Sequence, residues 1–344
     1  MSARIPLPEI LLGACSLGLL HHWDADGISS AAKIIGWARE TGIGVVNAVP
    51  EIGDYSCLDA GIRKLRVQGP DVILGLDLSS TQEGMTRIAE ASGQVPVVWI
   101  DHHSLPPRTT PEIVSYHPET SCTHGVFSNS RFLEILMGEK IGLMGAIGNC
   151  GDLGSKIFSH QARAETEISA RTNGLNLGQL IEITDLLDSN YRFGRTADVL
   201  EAPWILSRAE CHPETLLGVK RWMANRKAVK REISRLIKSP LQPARKVVLR
   251  EIETPMHLTS IITRKTALQV RGKSSAVVVR NMGMDPQPIY TRVTTPGTDL
   301  TPLIKEARSR GFSAGGKPDV VGMMVPAGEV EKTIGLIIDF LEER

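Results

Sequence analysis

The sequence of 344 residues is poor in cysteine and has no long apolar run. Its five cysteines contain no CxxC pair, which argues against a disulfide framework or a structural zinc site and favours reduced thiols in the cytoplasm. No apolar run approaches the ~20 residues that span a bilayer, so we expect no membrane helix and no membrane partner. The apolar stretch 7–20 contains Pro8 and Glu9 and lacks a cleavage-site pattern, so we also expect no signal peptide.

Two further shortages, of net charge and of aromatic residues, restrict how the chain could hold nucleic acid. The 39 Lys and Arg residues are balanced by 38 Asp and Glu residues, and aromatic residues make up 4% of the chain. Proteins that wrap long nucleic acid usually carry a basic excess, so any such surface here must be local. The low aromatic content argues against an extended base-stacking platform and fits a short bound strand better than a long track.

Apolar runs and helical patterns alternate in the first half of the chain. The predicted strands are 17–20, 45–49, 72–76 and 95–100, and the predicted helices are 28–40, 57–67 and 84–92. The strand segments are nearly continuous in Val, Ile and Leu, as expected for strands that are buried on both sides. The pattern predicts an α/β fold with a parallel sheet and helices on both faces.

The second half of the chain is mostly helical at first and then changes character after residue 243. The predicted helices are 131–137, 141–147, 177–187 and 197–206, followed by a basic amphipathic helix over 220–238. The predicted strands are 246–252, 258–263, 275–280 and 288–294, and the last helices are 300–310 and 329–341. We therefore expect an α/β domain over 1–210, a basic connector helix over 211–243 and a smaller α+β domain over 244–344.

Polar side chains with metal-binding chemistry follow the first predicted strand in the sequence HHWDADG. His22, Asp24 and Asp26 are spaced two apart, so in an extended chain they would point to the same side. Gly27 would allow a tight turn into the next helix. Carboxylates and imidazoles at the carboxyl end of a strand lie where open α/β sheets place their functional sites.

Three further motifs extend this pattern. Asp77 follows the third predicted strand, and the triplet Asp101-His102-His103 follows the fourth. Asp152 lies among four glycines, which suggests a carboxylate held where backbones pass closely. Asp after a strand often only caps the next segment, whereas an Asp-His-His triplet is hard to explain by packing.

Together these residues form a mixed oxygen and nitrogen donor set at one edge of the predicted sheet. Such a set suits Mn²⁺, with Mg²⁺, Co²⁺ or Zn²⁺ as competitors. The number of donors exceeds what one ion needs, so we expect two ions that share a carboxylate. The candidate ligands are His22, Asp24, Asp26, Asp77, His102 and Asp152.

The order DADG, then Asp, then DHH, then GD resembles the four motifs of the DHH phosphoesterase superfamily. The glycine-rich segment 311–322 resembles the signature of the DHH-associated C-terminal domain. The resemblance covers nearly the whole chain, and the HxDADG form is most similar to RecJ-type exonucleases and their archaeal relatives. It implies a DHH catalytic domain over 1–210 and a substrate-binding C-terminal domain over 244–344.

The resemblance also implies roles for the metal-binding residues. Asp77 matches the carboxylate that bridges two ions, and Asp24 would bind one of them. The other ion would be bound by Asp26, His102 and Asp152. A water held by the ions would supply the hydroxide that attacks phosphorus.

Around these ligands, the resemblance implies catalytic roles for the DHH triplet. His103 matches the histidine that contacts the scissile phosphate, and Asp101 is the neighbouring carboxylate that would fix the imidazole tautomer. His22 departs from the family, because many RecJ enzymes have Asp there. Its ligation is therefore an open choice between His22 and His21.

In the C-terminal domain the resemblance implies a substrate clamp. Gly315 and Gly316 would let backbone amides approach a phosphate, and Arg292 matches a phosphate-binding Arg of the family. Where the signature usually has His, this chain has Lys317, which is also a phosphate binder. The alternative for Arg292 is a solvated charge on the sheet.

The resulting prediction is a Mn²⁺-dependent exonuclease or oligonucleotide phosphodiesterase acting on single-stranded DNA or RNA. One alternative is a small-molecule phosphoesterase acting on a cyclic dinucleotide, 3′-phosphoadenosine 5′-phosphate or polyphosphate. Another is a non-catalytic scaffold like the RecJ-like replication factor of eukaryotes. The basic helix could follow a nucleic-acid backbone or serve as a spacer. A homodimer and a replication or repair partner are compatible with each of these.

Overall fold

The computed structural model describes residues 7–54, 57–103, 112–119, 125–295 and 297–343. These residues divide into two compact units. The first comprises the chain up to Arg226 except for Gly53–Ser56 and Arg192–Gly194. Those two short segments belong to the second unit, together with Lys227–Arg344. Within the described ranges, no helix combines the length and the hydropathy that a bilayer crossing requires.

A five-stranded parallel sheet forms the centre of the first unit. Its strands in chain order are β1 (Ser16–His21), β2 (Gly44–Ala48), β3 (Val72–Leu76), β4 (Val97–Ile100) and β5 (Ile113–Tyr116). Their order across the sheet is β2-β1-β3-β4-β5, and every pairing is parallel. The first four strands confirm the sequence prediction. The four-residue strand β5, in which Val114 is exposed, is too short for its pattern to be recognised.

Helices cover both faces of this sheet, as predicted. They are α1 (Leu7–Leu11), α2 (Ala25–Thr41), α3 (Leu58–Arg66), α4 (Gln82–Ser92) and α5 (Asn129–Leu136). Apolar residues of α3 and α4 pack on one face, and those of α1, α2 and α5 pack on the other. Because both faces are buried, the strands need apolar residues at every position, which is why their sequences read as continuous apolar runs.

A second, helical layer completes the first unit. It contains α6 (Leu143–Leu153), α7 (Arg163–Thr172), α8 (Leu177–Phe193), α9 (Thr196–Arg208) and the start of α10 (Lys220–Leu236). Their buried residues form one apolar cluster with part of α2. The cluster includes Ile147, Leu187 and the fully buried Trp222. The helix α7 was not predicted, because its sequence is largely polar.

The second unit contains a six-stranded mixed sheet. Its strands are β6 (Gln242–Ala244), β7 (Val247–Ile252), β8 (Ala276–Asn281), β9 (Gln287–Val293), β10 (Ser313–Lys317) and β11 (Val320–Val325). Their order is β10-β11-β9-β8-β7-β6, and only β7 and β8 pair in parallel. The helices α12 (Thr301–Ser309) and α13 (Val330–Glu342) pack on one face. The later half of α10 and the helix α11 (Thr259–Val270) pack on the other.

The prediction of a strand over 258–263 was wrong, because this segment lies in α11. Its β-branched residues suggested a strand, but the strands on either side of it, β7 and β8, are parallel. Parallel neighbours need a crossover connection, which is usually a helix. The buried residues Ile262, Thr266 and Val270 repeat at helical spacing and provide the side that packs on the sheet.

Candidate metal centre

The functional residues of the first unit meet at the carboxyl edge of the parallel sheet. His22 follows β1, Asp77 follows β3, and Asp101 begins the segment after β4. The chain passes from β1 to β2 and then returns across β1 to β3, so the direction of the sheet order changes between β1 and β3. Open α/β sheets bind their ligands outside the strand ends at such a switch point.

A first group of donors consists of His22, Asp24 and Asp77. The Nδ1 atom of His22 lies 2.9 Å from Asp24 Oδ2 and 3.8 Å from Asp77 Oδ2. Asp24 also caps α2, where its Oδ1 accepts a hydrogen bond of 3.1 Å from the Gly27 amide. Burial raises the pKa of Asp24, but the His22 imidazole outweighs this and holds it well below its usual value.

A second group consists of Asp26, His102 and Asp152. The Nε2 atom of His102 lies 3.0 Å from Asp152 Oδ2 and 3.7 Å from Asp26 Oδ2. Burial lowers the pKa of His102, but the carboxylates of Asp152 and Asp77 outweigh it and hold this pKa well above its usual value. Burial, reinforced by Asp152, raises the pKa of Asp26 to about 6.

Asp77 lies between the two groups. Its Oδ2 faces His22, and its Oδ1 is 3.4 Å from Nε2 of His102. The side chain is 2% exposed, and burial together with Asp26 raises its pKa well above the usual value. The backbone of Asp77 has φ of 62°, a left-handed conformation that is uncommon outside glycine and that concentrates at functional sites.

The donor set fits a pair of divalent cations. Asp77 Oδ1 and His102 Nε2 are buried, and neither makes a hydrogen bond of good geometry within the described residues. A buried polar atom without a partner is costly unless something else satisfies it. Four carboxylates and three imidazoles, those of His22, His102 and His103, converge in this largely buried place. Mixed oxygen and nitrogen donors of this kind suit Mn²⁺ and ions of similar preference.

Asp26 is held by residues that the sequence did not single out. Its Oδ1 accepts hydrogen bonds from the Ser130 amide (3.0 Å) and the Ser130 hydroxyl (2.6 Å), and its Oδ2 accepts one from the Asn129 amide (2.6 Å). Asn129 and Ser130 begin α5, so the positive end of that helix faces the carboxylate. The polar residues that precede the predicted helix 131–137 were the sequence signal that could have indicated this role.

The geometry of the DADG motif differs from the extended chain that the sequence suggested. Asp24 caps α2 and Asp26 lies in its first turn, so the two carboxylates point to different groups. Gly27 supplies room rather than a turn, because a Cβ there would lie 2.5 Å from the His22 carbonyl oxygen. Gly148 on α6 is equally restricted, since its Cβ would lie 2.2 Å from Asp26 Oδ1.

Asp152 reaches the site from α6, whose first turn is held by a buried acid. The Oε1 atom of Glu134 accepts hydrogen bonds from the amides of Gly142 (3.0 Å) and Gly145 (2.9 Å). These amides would otherwise lack partners, because Gly142 has no side chain with which to cap the helix. Burial raises the pKa of Glu134 to about 7. No pattern in the sequence indicated this role.

The structure distinguishes His22 from its neighbour His21. The His21 ring is fully buried, with Nδ1 2.8 Å from the His22 carbonyl oxygen and Nε2 3.3 Å from Asn47 Nδ2. Burial lowers its pKa to about 4. Among the described residues, His21 therefore lies outside the candidate donor groups, which favours His22 over His21 as the candidate ligand.

His103 forms a third candidate donor group with Asp77 and His102, and its imidazole also contacts Asp101. Its Nδ1 is 2.6 Å from Oδ1 of the fully buried Asp101 and 4.0 Å from Asp77 Oδ1. Burial raises the pKa of Asp101, but the His103 imidazole outweighs it and lowers the pKa overall. His117, which the sequence did not single out, follows β5 and donates a hydrogen bond of 2.6 Å from Nε2 to the His103 carbonyl.

The residues of the predicted substrate clamp lie on neighbouring strands of the sheet in the second unit. Arg292 on β9 and Lys317 on β10 both pair with Val320 on the intervening strand β11. Gly315 and Gly316 precede Lys317 on β10. The guanidinium of Arg292 lies 2.8 Å from Asp319, so part of its charge is already neutralised, whereas Lys317 is exposed.

Comparison with known proteins assigns the first unit. Residues 18–141 match the family described as the DHH family, N-terminal domain. The first unit therefore carries a DHH-family domain. This match includes the strand ends that carry His22, Asp24, Asp77 and His102, and the superfamily typically consists of phosphoesterases. The first unit therefore belongs to a family of metal-dependent phosphoesterases and nucleases. No curated protein matches the sequence.

Solved structures show that the fold of this DHH protein is RecJ-like. RecJ from Thermus thermophilus in complex with Mn²⁺ has a TM-score of 0.67 at 16% identity, over 98% of this chain and 54% of that one. An exonuclease RecJ bound to manganese has a TM-score of 0.66 at 16% identity, over 99% of this chain and 96% of that one. CDC45 from Entamoeba histolytica has a TM-score of 0.56 at 9% identity, over 95% of each chain. The chain thus spans about half the length of the Thermus RecJ.

Proposed function

We propose that this DHH protein is an exonuclease or oligonucleotide phosphodiesterase that hydrolyses single-stranded DNA or RNA with two Mn²⁺ ions. The observation that carries the proposal is the position of Asp77, whose two oxygens face two separate donor groups. A carboxylate that faces both ways suits a pair of ions, and paired ions are the usual solution for hydrolysing phosphodiesters. Mg²⁺ and Co²⁺ would suit the same donors.

The ions would be held by the two groups described above. His22 and Asp24 would bind one ion, and the second would be bound by Asp26, His102 and Asp152, with Asp77 shared. When bound, the ions supply a hydroxide at neutral pH and offset charge on the phosphoryl oxygens. Ser130 and Asn129 keep Asp26 in place through three hydrogen bonds, so its carboxylate is ordered before any ion arrives.

His103 would act on the substrate directly. Asp101 accepts a hydrogen bond from Nδ1 of His103, which leaves Nε2 as the atom that can approach a phosphoryl oxygen. A protonated imidazole there would stabilise the charge that develops on the phosphate during hydrolysis. Asp101 touches His103 and belongs to none of the donor groups, so it would act as a positioning residue.

The second unit would bind the end of the substrate. Lys317 is the exposed cation among the predicted clamp residues, and the backbone of Gly315 and Gly316 would allow a phosphate to approach closely. Arg292 would exchange its partner Asp319 for a phosphate. Recognition of a strand end favours removal of nucleotides one at a time over internal cleavage.

A hydrolysis panel with Mn²⁺ tests the proposal. The substrates are end-labelled single-stranded DNA and RNA of about 5 and 30 nucleotides, cyclic dinucleotides, 3′-phosphoadenosine 5′-phosphate and pyrophosphate. We expect stepwise shortening of the strands, and a loss of more than ~100-fold in Asp77→Asn, because even outer partners of metal ligands are worth about 10–100-fold. Asn tolerates the left-handed backbone, so the fold should persist. Asp59→Asn, in a surface ion pair, should retain activity.

The other outcomes separate the alternatives. Release of product from the small molecules alone would replace the exonuclease by a small-molecule phosphoesterase with the same centre. No hydrolysis of any substrate by protein that binds Mn²⁺ would favour the non-catalytic scaffold, to which the likeness with the CDC45 fold corresponds. Full activity of Asp77→Asn would contradict the shared-carboxylate arrangement itself.

A further inference from the structure

Positive charge is concentrated in two segments of the second unit, although the whole chain is balanced. Segments 227–238 and 259–273 contain nine basic residues and one acidic residue. The helices on the opposite face of the same sheet, α12 and α13, contain three basic and four acidic residues. One face of this sheet is therefore basic and the other is not.

The basic residues lie on the outer sides of two helices that cover the same face. The inner sides pack in one apolar cluster, to which Val229 and Leu236 of α10 and Ile262 and Val270 of α11 contribute. The outer sides carry exposed cations on both helices and on the turns that follow them. We call these residues the basic face: Lys227, Arg231, Lys238, Lys265, Arg271 and Lys273.

A buried arginine holds the ends of the two helices together. Arg250 on β7 is 2% exposed and donates hydrogen bonds to the Ile237 carbonyl (2.7 Å) and to Gln269 Oε1 (3.1 Å). Ile237 follows α10, and Gln269 lies in the last turn of α11. The C-terminal turns of both helices therefore adjoin the same side chain, which brings Lys238 and Arg271 into one region of the surface.

The cations of the basic face are not used within the fold. Two other arginines of α10 are paired: Arg226 lies 2.6 Å from Asp185, and Arg235 lies 2.6 Å from Glu232. By contrast, no carboxylate among the described residues lies within ion-pair distance of any member of the basic face. Solvated lysines and arginines without partners are the groups with which proteins bind phosphates.

We propose that the basic face binds the phosphate backbone of single-stranded nucleic acid. Lys227 and Arg231 are about 6 Å apart along the axis of α10, and Lys238 lies in the turn that follows this helix, so one extended strand could meet all three. Neither segment contains an aromatic residue, so binding should depend on phosphates rather than bases. The choice of nucleic acid among polyanions rests on the proposed function.

The packing disfavours a membrane as the partner. A helix that lies on a bilayer inserts its apolar side among the lipids. The apolar sides of α10 and α11 are already buried against the sheet, where Val229 is 3% exposed and Ile262 is fully buried. Leu268 on α11 is 68% exposed, but it is the one large apolar side chain exposed among the described residues of the two segments, so their surface is mainly polar and charged.

The test uses the full chain with Asp77→Asn as background, so that strands are bound without being degraded. Fluorescence anisotropy of a labelled strand of about 30 nucleotides is measured from about 50 to 200 mM salt for three proteins. They are the background protein, the triple variant Lys227→Glu/Arg231→Glu/Lys265→Glu, and a control with the same charge change, Lys64→Glu/Lys305→Glu/Lys332→Glu. The triple Gln variant of the basic face repeats the test without introducing negative charge.

We expect the basic-face variants to bind at least about tenfold more weakly, with a salt slope reduced by about 2, since three phosphate contacts would be lost. The control should bind like the background protein. Equal binding by all of them, or an equal loss in the control, would overturn the proposal. Tighter binding of anionic phospholipid vesicles or of a polyglutamate peptide than of the strand, lost in the same variants, would also overturn it in favour of that partner.

Hydrolysis of the short strand by the same variants with Asp77 restored separates this inference from the proposed function. Normal hydrolysis of the short strand with weakened binding of the long one supports both. Absence of hydrolysis in the unaltered chain, with strand binding that still depends on the basic face, would overturn the exonuclease and leave the binding surface standing.

Discussion

At the scale of single residues, the pair formed by Asp101 and His103 separates positioning from metal binding. Asp101 is fully buried and contacts Nδ1 of His103, and it belongs to none of the candidate donor groups. A carboxylate in this position fixes the tautomer and direction of the ring. Its removal should therefore impair turnover without removing the ions.

Asp101→Asn tests this difference. We expect kcat to fall by about 10–100-fold with little change in KM, because the His103 ring loses its orientation. Calorimetric titration with Mn²⁺ should still give two ions per chain, whereas Asp77→Asn should bind fewer. Loss of an ion from Asp101→Asn would show that Asp101 is a ligand and not a positioning residue.

At the scale of elements, the site depends on how closely α2 and α6 approach. Gly148 faces Asp26 so closely that a Cβ would lie 1.9 Å from Ser130 Oγ and 2.2 Å from Asp26 Oδ1. The three hydrogen bonds on Asp26 occupy the space that any larger side chain would need. Helix packing and ligand placement are thus set by the same contact.

Gly148→Ala should consequently lower both stability and metal affinity. We expect a loss of about 1–3 kcal/mol, typical of overpacking, and a clear drop in Mn²⁺ affinity as Asp26 is displaced. Thermal unfolding with and without Mn²⁺ measures both effects. The control is Gly335→Ala on α13, where a Cβ would meet nothing within 4 Å and should stabilise the helix slightly. Wild-type metal affinity in Gly148→Ala would contradict the coupling.

The same scale shows which parts of the structure the sequence could predict. Long apolar runs identified β1 to β4, and the order of motifs along the chain identified the donors after them. The pattern of a single segment did not predict its structure or role where residues distant in the sequence determine them. The β-branched residues of α11 form a helix because β7 and β8 are parallel, and Asp26 owes its setting to Ser130, a residue 104 positions away.

At the scale of the whole molecule, the two units have separate apolar cores. All the candidate ligands belong to the first unit, and the second unit contains none of them. Cation binding should therefore stabilise one unit directly. Ligand linkage gives about 2.7 kcal/mol at a concentration about 100 times the Kd.

Scanning calorimetry should accordingly resolve two transitions, of which Mn²⁺ raises only one, by about 5–10 °C. In Asp77→Asn this shift should shrink or disappear while the other transition stays unchanged. A single transition that moves as a whole with Mn²⁺ would instead mean that the two cores unfold as one cooperative block.

The left-handed backbone of Asp77 carries a consequence for how such a protein evolves and is engineered. Glycine would adopt that conformation without the cost of about 1 kcal/mol or more that Asp bears, and it would remove a buried acid crowded by Asp26. Asp77→Gly, the substitution that would relieve this backbone strain, thus changes the residue on which the proposed chemistry depends. Selection for thermal robustness alone would push this molecule toward inactivity, and only selection for turnover would keep Asp77 in place.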